Sequence, residues 1–311
     1  MEVKRTHFAD NLSNDRFYYR FSWFHLTRPL TFTGTISPIL AGTVLAAYNG
    51  SIRYDILLAM LTATLLIQAA TNMFNDYFDF RSGQDQNKWV TANSNKPESG
   101  HGPAHHLIPY AAGSLLMLAT IIGLWLALNS SFWIILIGIA GIAAGYAYSA
   151  GRHSFSSIGL GEAVAAIFLG LVPASLAYII QGNSLSIQIL AVAIPFALAI
   201  ATMIFTNNLR DIEKDREFRS TVVIKMGKAK AVQFLTLLLG LTYLSIILLI
   251  IFQVTTWTTG LTLFTLPLAI RLRWSFRKNA KRTEEIAAMK LAAQHHWLLS
   301  FLFLIGMLFG L

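Results

Sequence analysis

The side chains best suited to chemistry lie in two acidic stretches, "NMFNDYFDFRSGQD" (72–85) and "NNLRDIEKD" (207–215). In the first, Asn75 and Asp79 are four residues apart, so on a helix they share one face about a turn from each other. Asp85 comes ten residues after Asn75, roughly 280° round a continuous helix, and joins that face only if the helix stops; Gly83 marks a stop. In the second, Asp211 and Asp215 repeat the four-residue step, and Asn208 precedes Asp211 by three as Asn72 precedes Asn75. The triplets 72/75/79 and 208/211/215 therefore share one internal spacing, 136 residues apart. Two oxygen-rich faces turned to one cavity suit a hard divalent cation. Mg²⁺ keeps several waters and is bound through one or two carboxylates together with substrate phosphates. Carboxylates alone repel a diphosphate, so the metal makes such a site intelligible, and Arg81, Lys88, Arg210 and Lys214 are placed to complete the clamp. The competing reading is solvated helix ends at a membrane surface. The repeated geometry weighs against it, and acidic residues at membrane depth are rare and default to function.

The elements that position these stretches follow from composition. Of 311 residues, 55% are hydrophobic and only 13% charged, where a soluble domain carries about 25% charged residues. Apolar runs near 20 residues recur, long enough to cross a hydrocarbon core of about 30 Å as helices. The fold class is all-α and polytopic, with nine spans expected at roughly 30–49, 55–74, 107–128, 131–149, 159–181, 186–207, 230–252, 255–272 and 290–310. The first 20 residues are polar, so no cleavable signal peptide is expected. The absence of cysteine excludes disulfides, thiolate metal sites and a cysteine nucleophile.

A net charge of +9 would suggest nucleic acid in a soluble protein. Here every Lys and Arg except Arg53 falls in the N-terminal arm or in loops on one side of the nine-span map, so the charge sets orientation and no nucleic acid is expected. That bias places the N-terminus in the cytoplasm, the C-terminus outside, and the charged loops with their chemistry at the cytoplasmic face of the cell membrane. The spacing repeat points to one domain over 1–311, with an arm at 1–28, similar four-span halves at about 29–158 and 159–275, and a ninth span. Repeats of this kind place a shared site at their interface.

These motifs resemble the UbiA superfamily of intramembrane prenyltransferases. The resemblance rests on Asn75, Asp79 and Asp85 followed by Asp211 and Asp215, and on "LTRP" (26–29), "QAATNMFNDYFDF" (68–80), "GYAYSAG" (145–151), "GE" (161–162) and "MGKAKAV" (226–232). The six-residue step from Asp79 to Asp85 is most similar to the branch that acts on 1,4-dihydroxy-2-naphthoate in menaquinone synthesis. The resemblance implies nine helices round a central cavity capped on the cytoplasmic side. It also implies two Mg²⁺ ions holding a polyprenyl diphosphate, an allylic cation attacked by an aromatic acceptor, and loss of CO₂ from a naphthoate. Two stretches depart from that branch: "QNKWVTANSNKPESGHGPAHHL" (86–107) is not Gly-rich, and in "REFRSTVVIKMG" (216–227) no Gly precedes Thr221 and the run before it is one residue short.

On this reading Asp79, Asp211 and Asp215 are catalytic, and Asn75, Asp76, Asp79, Asp85, Asp211 and Asp215 are metal ligands, Asp76 directly or through a neighbour. Asn72 and Asn208 hold substrate or bond between helices. One of Tyr146 and Tyr148 lines the cation's path and the other joins an interfacial belt. Arg28 orients the site or, with Lys88 and Lys96, faces an acceptor carboxylate. His101, His105 and His106 are expected in a solvated loop, His295 and His296 at the interface, and Arg271 to Arg282 on lipid headgroups. A cation-coupled carrier is the alternative function; it would place its acids near the bilayer midplane rather than at the ends of spans two and six.

Overall fold

A computed structural model describes residues 17–91, 102–151 and 153–310. The main helices are α1 (Thr33–Ala47), α2 (Tyr54–Arg81), α3 (Ile108–Asn129), α4 (Trp133–Ser149), α5 (Gly161–Ile180), α6 (Ile187–Arg210), α7 (Lys228–Ile251), α8 (Leu266–Trp274) and α9 (Arg282–Leu308). Six of them, α2, α3, α5, α6, α7 and α9, are long and apolar enough to cross a membrane. A seventh span results if Trp23–Thr31 and α1, which meet at 48°, are taken together. Helix α4 is shorter, and α8 continues from a 3₁₀ segment, Trp257–Thr265.

Helix α2 shows how sequence sets these elements. Asp55 in its first turn and Arg81 in its last complement the helix dipole. The chain leaves the helix at Ser82, and Gly83 takes φ +87°, a left-handed conformation that glycine adopts without a Cβ penalty. The expected stop is therefore present, and it turns Asp85 back toward the helix end.

The helices are apolar on nearly every face, and the two kinds of apolar face have different surroundings. Met117, Ile121, Leu124 and Leu128 of α3 remain exposed, a surface that water disfavours and lipid accepts. Helix α6 is the innermost span, with 72% of its apolar window buried. Phe196 and Phe205 are its fully buried anchors in a core shared with α1, α7 and α9. Hydrophobicity does not drive helices together inside lipid, so small residues set their closest approaches. Gly42 of α1 lies where an added Cβ would stand 2.1 Å from the Ala174 carbonyl oxygen of α5. Gly170 of α5 similarly faces Ala197 of α6, 2.6 Å from a built Cβ to that Cα.

The expectation of a purely helical chain needs one addition. Residues Phe17–Tyr19 (β1) pair antiparallel with Trp89–Thr91 (β2), in the register Phe17↔Thr91, Tyr18↔Val90 and Tyr19↔Trp89. The N-terminal arm and the loop after α2 thus form a two-stranded patch, packed through Tyr19, Phe80 and Trp89 on α2. Such short strands carry almost no local signal, because each needs a partner about seventy residues away.

The α1–α5 approach gives a stability prediction. Gly42→Leu overpacks that contact and should cost about 1–3 kcal/mol, read as a lower thermal midpoint in detergent. Gly50→Ala, where a Cβ meets nothing within 4 Å, should leave the midpoint unchanged.

Candidate active site

One cavity of about 850 Å³ runs into the helices, lined by α1 to α6, by the segments that flank α1, α2 and α6, and by Met289 of α9. Its deeper wall is apolar, with Met60, Ile67, Ile134, Phe168 and Leu176. The charged groups gather where α2 and α6 end. Of the residues singled out from sequence, Arg28, Asn72, Asn75, Asp79, Asp85, Lys88, Tyr148, Asn208, Arg210, Asp211, Lys214 and Asp215 line it.

Three do not. Asp76 is buried behind the wall, 1% exposed, where its Oδ1 accepts from Arg28 and from Lys88, each at 2.8 Å. Its Oδ2 is buried with no hydrogen-bond partner among the described residues. Arg81 lies outside, over the Tyr77 ring at 5.7 Å. Tyr146 is exposed and packs edge-on against Phe74 and Phe78, while Tyr148, two residues on, faces the cavity.

The first acidic stretch divides into two groups. Asn72 and Asn75 are engaged in holding the chain before α1: Asn72 Nδ2 donates to the Thr27 carbonyl at 2.8 Å, and Asn75 Oδ1 accepts from Arg28 at 2.7 Å. Asn75 Nδ2 donates to Ser149 Oγ at 2.7 Å. Asp79 and Asp85 instead meet cations at the cavity mouth. Asp79 pairs with Arg219 at 2.8 Å, and Arg219 Nε also donates to Gln84 at 2.8 Å. Asp85 is held by Lys88 at 2.8 Å and by Lys214.

In the second stretch α6 ends at Arg210, and Asp211 leads into the short helix Ile212–Asp215. Asp211 pairs with Arg210 of its own stretch, and Arg282 of α9 stands 3.8 Å away. Asn208 donates to Glu162 at 2.8 Å. Asp215 is buried with no ion pair among the described residues. Burial pushes its carboxyl up, and the Arg219 charge opposes that rise. Burial also pushes the Asp85 carboxyl up, but Lys88 and Lys214 outweigh it and hold the group well below the usual carboxylate range.

Among the described residues no three acidic or histidine side chains are preassembled round an ion. The donor set still fits Mg²⁺, which completes its shell with water and substrate phosphate rather than with an all-protein cage. Asp79, Asp85, Asp211 and Asp215 all offer hard oxygens to one cavity. The desolvated Asp215 carboxyl is a group that a nearby cation would favour in its charged form.

Several functional neighbours were not distinguished from sequence. Arg219 was one more charge in a basic loop, although its place four residues after Asp215 is a usable signal. Ser149 and Glu162 lie in "GYAYSAG" and "GE", stretches noted for resemblance alone. Three histidines depart from expectation. His105 stacks on Tyr77 at 4.4 Å instead of sitting in solvent, while His106 is exposed. His295 and His296 are buried within α9 rather than interfacial, and His295 Nε2 meets Tyr243 Oη at 2.9 Å. Lys96 and His101 lie outside the described residues.

Residues 35–309 match the UbiA prenyltransferase family. The chain belongs to that family. It is a prenyltransferase and an integral membrane protein. It is 32% identical over 284 residues to a 1,4-dihydroxy-2-naphthoate octaprenyltransferase of Bacillus subtilis (strain 168), covering 91% of each chain. The human UbiA prenyltransferase domain-containing protein 1 is 29% identical over 257 residues, covering 81% of this chain and 74% of the human protein. Among solved structures, a UbiA homolog from Aeropyrum pernix K1 superposes with a TM-score of 0.65 at 14% identity, covering 88% of this chain and 97% of that one. One from Archaeoglobus fulgidus bound to DMAPP and Mg²⁺ gives 0.58 at 15% identity, covering 90% and 99%. At such identities these two establish the fold of this UbiA member.

The Asp85 environment predicts a pH effect. A carboxyl whose folded pKa is depressed contributes stability that is present above its unfolded value, about 3.9, and lost as pH falls below it. The wild type should therefore lose thermal stability on acidification from pH 7 to about pH 3. A Lys88→Ala/Lys214→Ala variant should lose less over that window, because its Asp85 no longer has a depressed pKa.

Proposed function

We propose that this enzyme transfers a polyprenyl group from its diphosphate to 1,4-dihydroxy-2-naphthoate, with loss of CO₂, in menaquinone biosynthesis. The observation that carries the reading is a ring of carboxylates and cations at one end of an otherwise apolar cavity. The acceptor rests on similarity to the Bacillus subtilis naphthoate octaprenyltransferase. The net reaction breaks the allylic C–O bond, with its electron pair leaving on the diphosphate. It forms a C–C bond to the ring and releases the carboxylate carbon as CO₂.

Asp79, Asp85, Asp211 and Asp215 would hold Mg²⁺, with Asp79, Asp211 and Asp215 the catalytic acids; bound there, the metal supplies neutralisation of the departing diphosphate. Arg219, Lys88, Arg210 and Lys214, which pair with these carboxylates in the structure, are positioned to transfer to phosphate oxygens. Asn208, fixed by Glu162, borders the same space. Tyr148 offers an aromatic face to the allylic cation, and the apolar wall excludes the water that would quench it. Asn72, Asn75 and Asp76 act by fixing the Arg28 segment and Lys88. A guanidinium has five N–H donors, and Asn75 and Asp76 use only Nη2 of Arg28, which leaves donors for an acceptor carboxylate.

We further propose nine membrane spans, in two similar halves plus a ninth, with the N-terminus and the cavity mouth cytoplasmic. Helix occupies each of the nine expected stretches, and the basic residues favour that orientation. A topology reporter fused after Leu311 should be active only in its extracytoplasmic form. A cytoplasmic signal there would mean an even number of spans.

Catalysis should require divalent metal, and Asp79→Asn or Asp215→Asn should lower turnover by at least about a thousandfold without unfolding the protein, several kcal/mol of transition-state stabilisation being lost. Wild-type turnover by either variant, or by the wild type in EDTA, would refute the role.

The acceptor is tested by a panel assayed with Mg²⁺ and a labelled polyprenyl diphosphate. Dihydroxynaphthoate should be prenylated, and Arg28→Ala should raise its KM more than that of the diphosphate, as loss of a ground-state contact does. Prenylation of 4-hydroxybenzoate with dihydroxynaphthoate ignored would overturn the acceptor and leave the diphosphate chemistry standing.

A further inference from the structure

The thirteen residues between β1 and α1 form an elbow with two unlike faces. Its inner face is clasped by a stripe of α2 side chains at helical spacing, Gln68, Asn72, Asn75 and Asp76. Gln68 Nε2 donates to the Thr31 carbonyl at 2.9 Å and Asn72 Nδ2 to the Thr27 carbonyl at 2.8 Å, while Asn75 and Asp76 hold Arg28. Leu26 is fully buried in an apolar cluster with Ala70, Met73 and Trp89. Arg28 sits at φ +51°, a left-handed conformation that a non-glycine residue keeps only where its surroundings over-determine it.

The outer face is apolar and exposed: Phe21 50%, Trp23 42%, Phe24 66% and Leu30 86%. This surface is continuous with membrane-spanning helix, since Trp23–Thr31 meets α1 at a 48° bend. Its height fits the edge of a bilayer. The 28 residues of α2 extend about 42 Å, longer than a hydrocarbon core of about 30 Å, and Asn75 and Asp76, which hold Arg28, lie within about 9 Å of its Arg81 end. Tryptophan and phenylalanine beside the exposed Arg20 are the residue types that favour the headgroup boundary.

We propose that this elbow is a bilayer latch. Its aromatic face seats in the headgroup–acyl boundary of the leaflet at the cavity mouth, and lipid on one side and α2 on the other hold Arg28 in place. The ligand is the lipid interface itself, not a second copy of the chain or a soluble protein.

The cysteine-free sequence makes the test direct, because Phe24→Cys creates a single thiol for a nitroxide label in reconstituted liposomes. Collision with oxygen should exceed collision with a water-soluble nickel complex, placing the label about 5–10 Å beneath the phosphates. A label at Lys278→Cys, in an exposed basic loop, should show the reverse. In the same liposomes Phe24→Asp should lower turnover several-fold and Phe24→Leu should restore it. Free nickel access at position 24, protection that grows with protein concentration, or wild-type turnover by Phe24→Asp would each overturn the latch.

Discussion

Four carboxylates at the end of an apolar cavity must be neutralised, and most of the architecture around them serves that need. Asp79 is nearly as buried as the core, and Arg219 reaches it from a loop that follows α6. Asp85 draws one lysine from its own loop and another from the second acidic stretch. Removing one partner of a buried pair such as Asp79–Arg219 typically costs about 3–5 kcal/mol, because the other charge is left without compensation. The ends of α2 and α6 are therefore bound to each other by charge across the cavity, and the site forms only when both are in place.

The same constraint explains why an ion-paired mouth suits diphosphate chemistry. Cations pair with Asp79, Asp85 and Asp211 while no substrate is present, and Asp215 is left for a further cation. A metal–diphosphate complex brings both signs of charge and can exchange with both sets of partners, so neither is left bare in a low dielectric. The apolar wall has a complementary task, since hydration of an allylic cation would end the reaction as an alcohol.

The long apolar helices and the end of α2 before Gly83 were legible in the sequence because each follows from local composition or turn chemistry. The separation of Tyr148 from Tyr146 follows helix geometry, which turns residues two apart to different faces. What was not legible depends on partners distant in sequence. Arg219 stands out from the other loop cations only when the ends of α2 and α6 face each other across the cavity, and β1 becomes a strand only against β2. Asn75 reads as a ligand and Asn72 as a substrate contact or a bond between helices, yet Asn72 Nδ2 and Asn75 Oδ1 engage the elbow before α1, a partner that lies more than forty residues away. The position of His295 near the start of an expected span suggests an interface; α9 begins eight residues earlier than that span, which carries His295 into the core.

The central claim is that the ion pairs at the mouth exchange for a metal-bound diphosphate. The most direct measurement is a structure of the protein with Mg²⁺ and a non-hydrolysable prenyl diphosphate analogue. The account predicts metal density against Asp79, Asp85, Asp211 and Asp215, with Arg219 and Lys214 moved from their carboxylates to phosphate oxygens. A diphosphate bound elsewhere, with Asp79–Arg219 and Asp85–Lys214 still paired, would contradict it.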